Sequence, residues 1–121
     1  MNEREKVKGP GSNSSTDIEI TPREVHEMQS RGAAFLFVDV REKWEHETSR
    51  IEGAVLIPLR EIPASLPRLA GAGDIVLFCH HGIRSFDAAS WLREQGIESA
   101  RSMSGGIDQW SREIDPKVPF Y

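Results

Sequence analysis

Short apolar runs alternate along the chain with polar stretches that suit helices. The strongest runs cover 34–40, through Phe35, Leu36, Phe37 and Val38 to Asp39, and 75–78, Ile-Val-Leu-Phe. Continuous apolar runs of this length, bounded by turn residues, fit strands buried on both faces. Shorter strands are predicted at 18–20, at 54–57 before Pro58, and at 99–103. Thr21-Pro22-Arg23-Glu24 reads as a helix start. Thr21 can cap, Pro22 fits the first turn, and Glu24 completes a capping box. That helix is predicted to run to Arg31 and stop at Gly32. Short helices are predicted at 42–47, at 63–70, and from Gly105-Gly106 through Trp110. The clearest helix covers 85–95, where Ala88, Ala89 and Leu92 share a face and Gly96 ends it. The alternation of strand and helix predicts an α/β domain with a central, mainly parallel, five-stranded sheet flanked by helices. In such sheets ligands bind at the carboxyl ends of strands, where Asp39 and Cys79 both fall.

Residues 1–16 break this pattern. The run Lys8-Gly9-Pro10-Gly11-Ser12-Asn13-Ser14-Ser15 has too little apolar surface to offset the entropy of ordering it. A disordered tail over 1–16 and one domain over 17–121 are the expectation. With 121 residues, 38% of them hydrophobic, that domain needs no disulfide or metal staple. The formal net charge is -4, and Lys and Arg are scattered, so nucleic acid is not an expected partner. The start of the chain carries no apolar run of signal-peptide type, and no later run reaches bilayer length, so no membrane association is expected. The single cysteine, Cys79, cannot form an internal disulfide. A free thiol is easiest to keep in a reducing compartment, and cytoplasmic residence is expected.

The candidate chemistry lies in Cys79-His80-His81-Gly82-Ile83-Arg84-Ser85. A buried strand delivers Cys79 to the sheet edge, a loop with one glycine follows, and a helix is predicted to begin near Arg84 or Ser85. Backbone N–H groups turned inward there, with the positive end of the helix dipole, would stabilise a thiolate or anion at the loop centre. The thiolate is the reactive form of cysteine.

This segment resembles the active-site loop of the rhodanese family. Three more segments are similar to that family's motifs, in family order. They are Asp39-Val40-Arg41-Glu42 with Trp44 and Glu45, Ile51 to Leu59, and Ser104-Gly105-Gly106-Ile107-Asp108-Gln109-Trp110. The family often has Gly-His-Ile-Pro-Gly-Ala where this chain has Ser49-Arg50-Ile51-Glu52-Gly53-Ala54. The resemblance implies a rhodanese-like three-layer fold and a sulfurtransferase. Cys79 would take sulfane sulfur from a donor such as thiosulfate, hold it as a persulfide within the loop 80–85, and pass it to cyanide or a thiol. No cofactor and no metal is implied, and a protein could replace either small partner. Cys-dependent phosphatases of similar architecture use a loop one residue longer than the four residues separating Cys79 from Arg84. A phosphatase and a regulatory module without turnover are the competing readings.

Several residues carry a plainer reading. His80 and His81 are adjacent, should project differently, and lack a third ligand, so a metal is not expected. They are read as exposed loop residues that tune charge. Arg84 is either a solvated residue of the first helical turn or an anion clamp at the pocket mouth. Gly82 is expected at positive φ. Asp39 and Arg41 are expected to pair, with Asp39 available to cap the helix near Glu42, and the resemblance implies that they brace the loop, with Arg41 within reach of the pocket. Trp44, Trp91 and Trp110 are read as packing residues.

Overall fold

The computed structural model describes residues 18–121, so the expected tail at 1–16 and the domain start at Asp17 lie outside the described residues. Five strands, β1 (Glu19–Ile20), β2 (Leu36–Asp39), β3 (Val55–Leu56), β4 (Ile75–Phe78) and β5 (Ala100–Met103), form one sheet in the order β1-β5-β4-β2-β3. Every strand pair is parallel. The helices are α1 (Pro22–Ser30), α2 (Lys43–Thr48), α3 (Leu66–Ala70), α4 (Ile83–Glu94) and α5 (Gly106–Glu113).

The expected capping box opens α1. The Glu24 amide donates to Thr21 Oγ1 at 3.1 Å, and the Thr21 amide donates to Glu24 Oε1 at 2.9 Å. Element ends differ from expectation by a few residues. The run at 34–40 pairs only over Leu36–Asp39. The helix expected over 63–70 splits into a 3₁₀ turn, Pro63–Ser65, and α3. A further 3₁₀ turn at Leu59–Glu61 was not legible in the sequence. Helix α4 begins at Ile83, ahead of the expected Arg84 or Ser85, and α5 continues past Trp110 to Glu113.

Side chains alternate across the sheet, and the two sets build two cores. Val38, Val40, Ile75 and Leu77 pack on one face with Leu69 of α3 and with Ala88, Ala89 and Leu92 of α4. Phe37, Val76 and Phe78 pack on the other with Val25 and Met28 of α1 and Ile107 and Trp110 of α5. The result is three layers, helix–sheet–helix. Cys79 follows the parity of Ile75 and Leu77, so its side chain belongs to the α4 face, at the carboxyl end of the central strand. Trp110 is buried as expected, but Trp44 is 61% exposed. It lies on the short α2, with its ring edge-on to Tyr121 at 6.0 Å, at the surface of the domain.

Candidate active site

Cys79 leaves β4 and the chain turns sharply through Gly82, at φ 107°, into α4. The Gly82 amide donates to Cys79 Sγ at 3.1 Å, and the Ser85 amide does so at 3.4 Å. The Ser85 hydroxyl lies 3.5 Å from the same sulfur and 2.8 Å from the Ser102 hydroxyl of β5. The amides of His80, His81, Ile83 and Arg84 make no hydrogen bond among the described residues. The sulfur is therefore met from one side by donors, while further N–H groups of the loop and the first turn of α4 remain open to an anion. Cys79 itself is buried.

Helix α5 holds this loop from the outside. The Ile107 amide donates to the Cys79 carbonyl at 2.9 Å, and the Asp108 amide donates to the His80 carbonyl at 3.1 Å. Turning these two carbonyls toward α5 lets the loop keep its amides for the sulfur side. The approach is so close that position 106 tolerates only glycine. A Cβ there would stand 2.5 Å from the Cys79 carbonyl oxygen.

A buried polar network braces the other flank. Arg41 is fully buried and donates from Nε to Asp39 Oδ1 at 2.8 Å and from Nη2 to Asp39 Oδ2 at 2.7 Å. Its Nη1 donates to the Tyr121 hydroxyl at 2.9 Å, which donates in turn to Glu45 Oε2 at 2.8 Å. Arg84 completes the chain with two parallel bonds to Glu45, at 2.8 and 2.9 Å. The expected Asp39–Arg41 pair is present, and one detail differs. Arg41 is enclosed by Phe78, Tyr121 and the Ser49 carbonyl. Asp39 spends its carboxylate on Arg41 and on His46 Nδ1, and Glu42 caps α2 in its place. Arg84 takes a role that neither sequence reading foresaw. Its guanidinium is committed to Glu45 and ties the start of α4 to α2.

Burial acts to raise the Glu45 carboxyl. Hydrogen bonds from Arg84, from the Glu42 amide and from Tyr121 outweigh it and hold that carboxyl down at about 2. Burial is also the main reason the Tyr121 hydroxyl is pushed up to about 12. Between about pH 4.5 and pH 2 the unfolded chain takes up a proton at Glu45 that the folded chain refuses. Stability from this group is thus complete above that window and falls as the pH drops through it. Urea midpoints followed from neutral pH down to about pH 2 are expected to fall less steeply in Glu45→Gln than in the wild type. Parallel curves would remove Glu45 from the acid response.

Tyr121 also stacks on His80, with ring centroids 4.0 Å apart and planes 11° from parallel. His81 covers the opposite face of His80, also at 4.0 Å. The expectation that the two histidines project differently does not hold. They sit in a tight turn, where consecutive side chains need not alternate as they do in a strand. Burial, then the neighbouring His81, lower the His80 pKa from its ordinary value.

The Rhodanese-like domain family matches residues 21–113. The chain belongs to this family. A thiosulfate sulfurtransferase, GlpE of Haemophilus influenzae, is 34% identical over 94 residues, covering 78% of this chain and 88% of the relative. A probable adenylyltransferase/sulfurtransferase, MoeZ of Mycobacterium tuberculosis, is 33% identical over 104 residues, covering 84% of this chain. The rhodanese-like chain spans about a quarter of the length of that relative, 26%. Among solved structures, a rhodanese-related protein from Thermoplasma volcanium superposes with a TM-score of 0.70 at 27% identity, over 79% of this chain and 92% of that one. The fold is that of the rhodanese-like proteins, and GlpE and MoeZ both carry sulfurtransferase in their names. No helix among the described residues is long and apolar enough to cross a membrane.

The sequence brought Cys79, Gly82 and Ser85 to one place through a single local segment. It did not reveal Glu45 as the anchor of Arg84, Tyr121 as the bridge to Arg41, or Ser102 beside Ser85. Glu45 had a partial signal, because Glu42 and Glu45 are spaced as a capping box. Tyr121 is 80 positions from Arg41 and carried none.

Proposed function

We propose that this protein is a sulfurtransferase that carries sulfane sulfur on Cys79. The observation that carries the proposal is the convergence of the Gly82 and Ser85 amides and the Ser85 hydroxyl on Cys79 Sγ at the end of the central strand. The Cys79 thiolate attacks the outer sulfur of thiosulfate, and the S–S bond breaks with its electron pair leaving on sulfite. The persulfide anion that remains is a larger, diffuse negative charge, suited to the uncommitted amides of His80, His81, Ile83 and Arg84. Cyanide or a thiol then attacks the outer sulfur, and the Cys79 thiolate departs. In the cyanide case the product is thiocyanate. Such a two-step covalent cycle gives ping-pong kinetics. The need for a reduced thiol suits a reducing compartment such as the cytoplasm.

A protein as donor or acceptor is favoured by one further observation. Ile83 and Trp44 are large, apolar and exposed, 74% and 61%, and each adjoins a member of the Arg84–Glu45 pair beside the loop. The likeness to about a quarter of a longer relative named an adenylyltransferase/sulfurtransferase, MoeZ, fits that reading.

The full-length protein treated with thiosulfate is expected to gain the mass of one sulfur atom and to lose it on addition of cyanide, with thiocyanate released. An aryl phosphate is expected to remain uncleaved, because the loop is built around one sulfur atom. An unchanged mass together with no thiocyanate would end the sulfurtransferase reading, and aryl phosphate hydrolysis would replace it with the phosphatase.

A further inference from the structure

Three metal-ligating groups meet at the rim of this loop. One ring nitrogen of His80, one of His81 and one carboxylate oxygen of Asp108 all lie within 4.8 Å of one another. They come from different elements. The histidines follow Cys79, and Asp108 lies in the first turn of α5, whose amide donates to the His80 carbonyl at 3.1 Å. That bond fixes the main chain at Asp108 against the histidine turn.

Of the two rings, that of His80 is held. His80 is sandwiched between His81 and Tyr121, with centroid separations of 4.0 Å on both faces. No ring nitrogen of His80 or His81 makes a hydrogen bond among the described residues. Asp108 Oδ2 accepts from Arg112 Nε at 3.0 Å within its own helix, a bond that uses one of its two oxygens. Two imidazoles without a hydrogen-bond partner among the described residues, close to a carboxylate, are an arrangement the proposed sulfur cycle does not call on.

We propose that His80, His81 and Asp108 form a binding site for a borderline divalent cation such as zinc at the rim of the Cys79 loop. The donor set decides the class of metal. Two imidazoles and one carboxylate suit zinc, nickel or copper, whereas magnesium and calcium prefer oxygen ligands alone. A tetrahedral zinc with bonds of about 2.0–2.2 Å needs ligand atoms roughly 3.4 Å apart. The three groups therefore close by up to about 1.4 Å, and because stacked rings point their in-plane lone pairs side by side, His81 swings out of its stack with His80 to share the ion. Three protein ligands leave a fourth position open to water or to a sulfur species. A cation seated one residue from Cys79 would compete with a sulfur donor for the same mouth, and sulfur transfer would slow in its presence.

Calorimetric titration of zinc into the untagged full-length protein tests the site without relying on turnover. The wild type is expected to show one saturable site, Cys79→Ser is expected to keep it, and His81→Ala and Asp108→Asn are each expected to weaken it by about tenfold or more. Magnesium is expected to give no saturable heat. Binding that survives both His81→Ala and Asp108→Asn would overturn the proposal. Binding lost in Cys79→Ser would do so as well, by assigning the zinc to the thiol. Failure of sulfur transfer in the wild type leaves this titration untouched, so the two readings stand or fall separately.

Discussion

Replacing Cys79 by serine is expected to reduce thiocyanate formation to the rate without protein and to leave the fold in place. Serine puts an oxygen where the cycle needs a sulfur that bonds to sulfur, and a hydroxyl at neutral pH has no accessible anion to attack a donor. The site can accommodate the new group. The amides of Gly82 and Ser85 and the Ser85 hydroxyl, which meet Cys79 Sγ at 3.1 to 3.5 Å, can satisfy a serine hydroxyl in the same place. A thermal melt close to that of the wild type, with activity gone, is therefore the expected pair of results. The chain has one cysteine, so no second thiol can take over. Turnover retained by the variant, or a sulfur atom still gained in its intact mass, would remove Cys79 from the chemistry.

How much of this was legible beforehand follows from the range of the forces involved. The strand 75–78, the capping box at Thr21 and the buried face of Ala88, Ala89 and Leu92 rest on contacts with period and spacing written locally in the chain. The loop after Cys79 is also local, since one glycine at positive φ and a helix start suffice to bring two amides onto the sulfur. The bracing network is different. Asp39, Arg41, Glu45, Arg84 and Tyr121 come from four separate stretches and are joined by bonds spanning up to 80 positions. Nothing in the neighbourhood of Arg84 distinguishes a guanidinium bound to a buried carboxylate from one facing solvent or substrate. Only the docking of α2 against the start of α4 decides it. The seating of Tyr121 on His80 and the approach of Asp108 follow the same logic, because they depend on how the segment after α5 and α5 itself meet the loop.

That meeting of α5 with the loop is the basis of the second large effect. Gly106→Ala is expected to destabilise the domain by roughly 2–6 kcal/mol and to abolish sulfur loading in whatever fraction remains folded. Two costs add. Gly106 has φ 62°, a conformation that strains any residue with a Cβ. The added carbon would also stand 2.5 Å from the Cys79 carbonyl oxygen and closer still to that of His80. Those atoms are backbone, so no side-chain rotation relieves the clash, and the helix must back away. Retreat breaks the bonds from the Ile107 and Asp108 amides to the same two carbonyls, which then turn and carry the loop amides off the sulfur. Gly53→Ala provides the matched comparison, because Gly53 has φ 92° and nothing within 4 Å of an added Cβ. It bears the strain without the collision and is expected to cost about 1–2 kcal/mol with loading intact. Urea denaturation and intact mass after thiosulfate treatment read both quantities. Equal losses in the two variants would mean that backbone strain alone matters at position 106 and that α5 does not hold the Cys79 loop in shape.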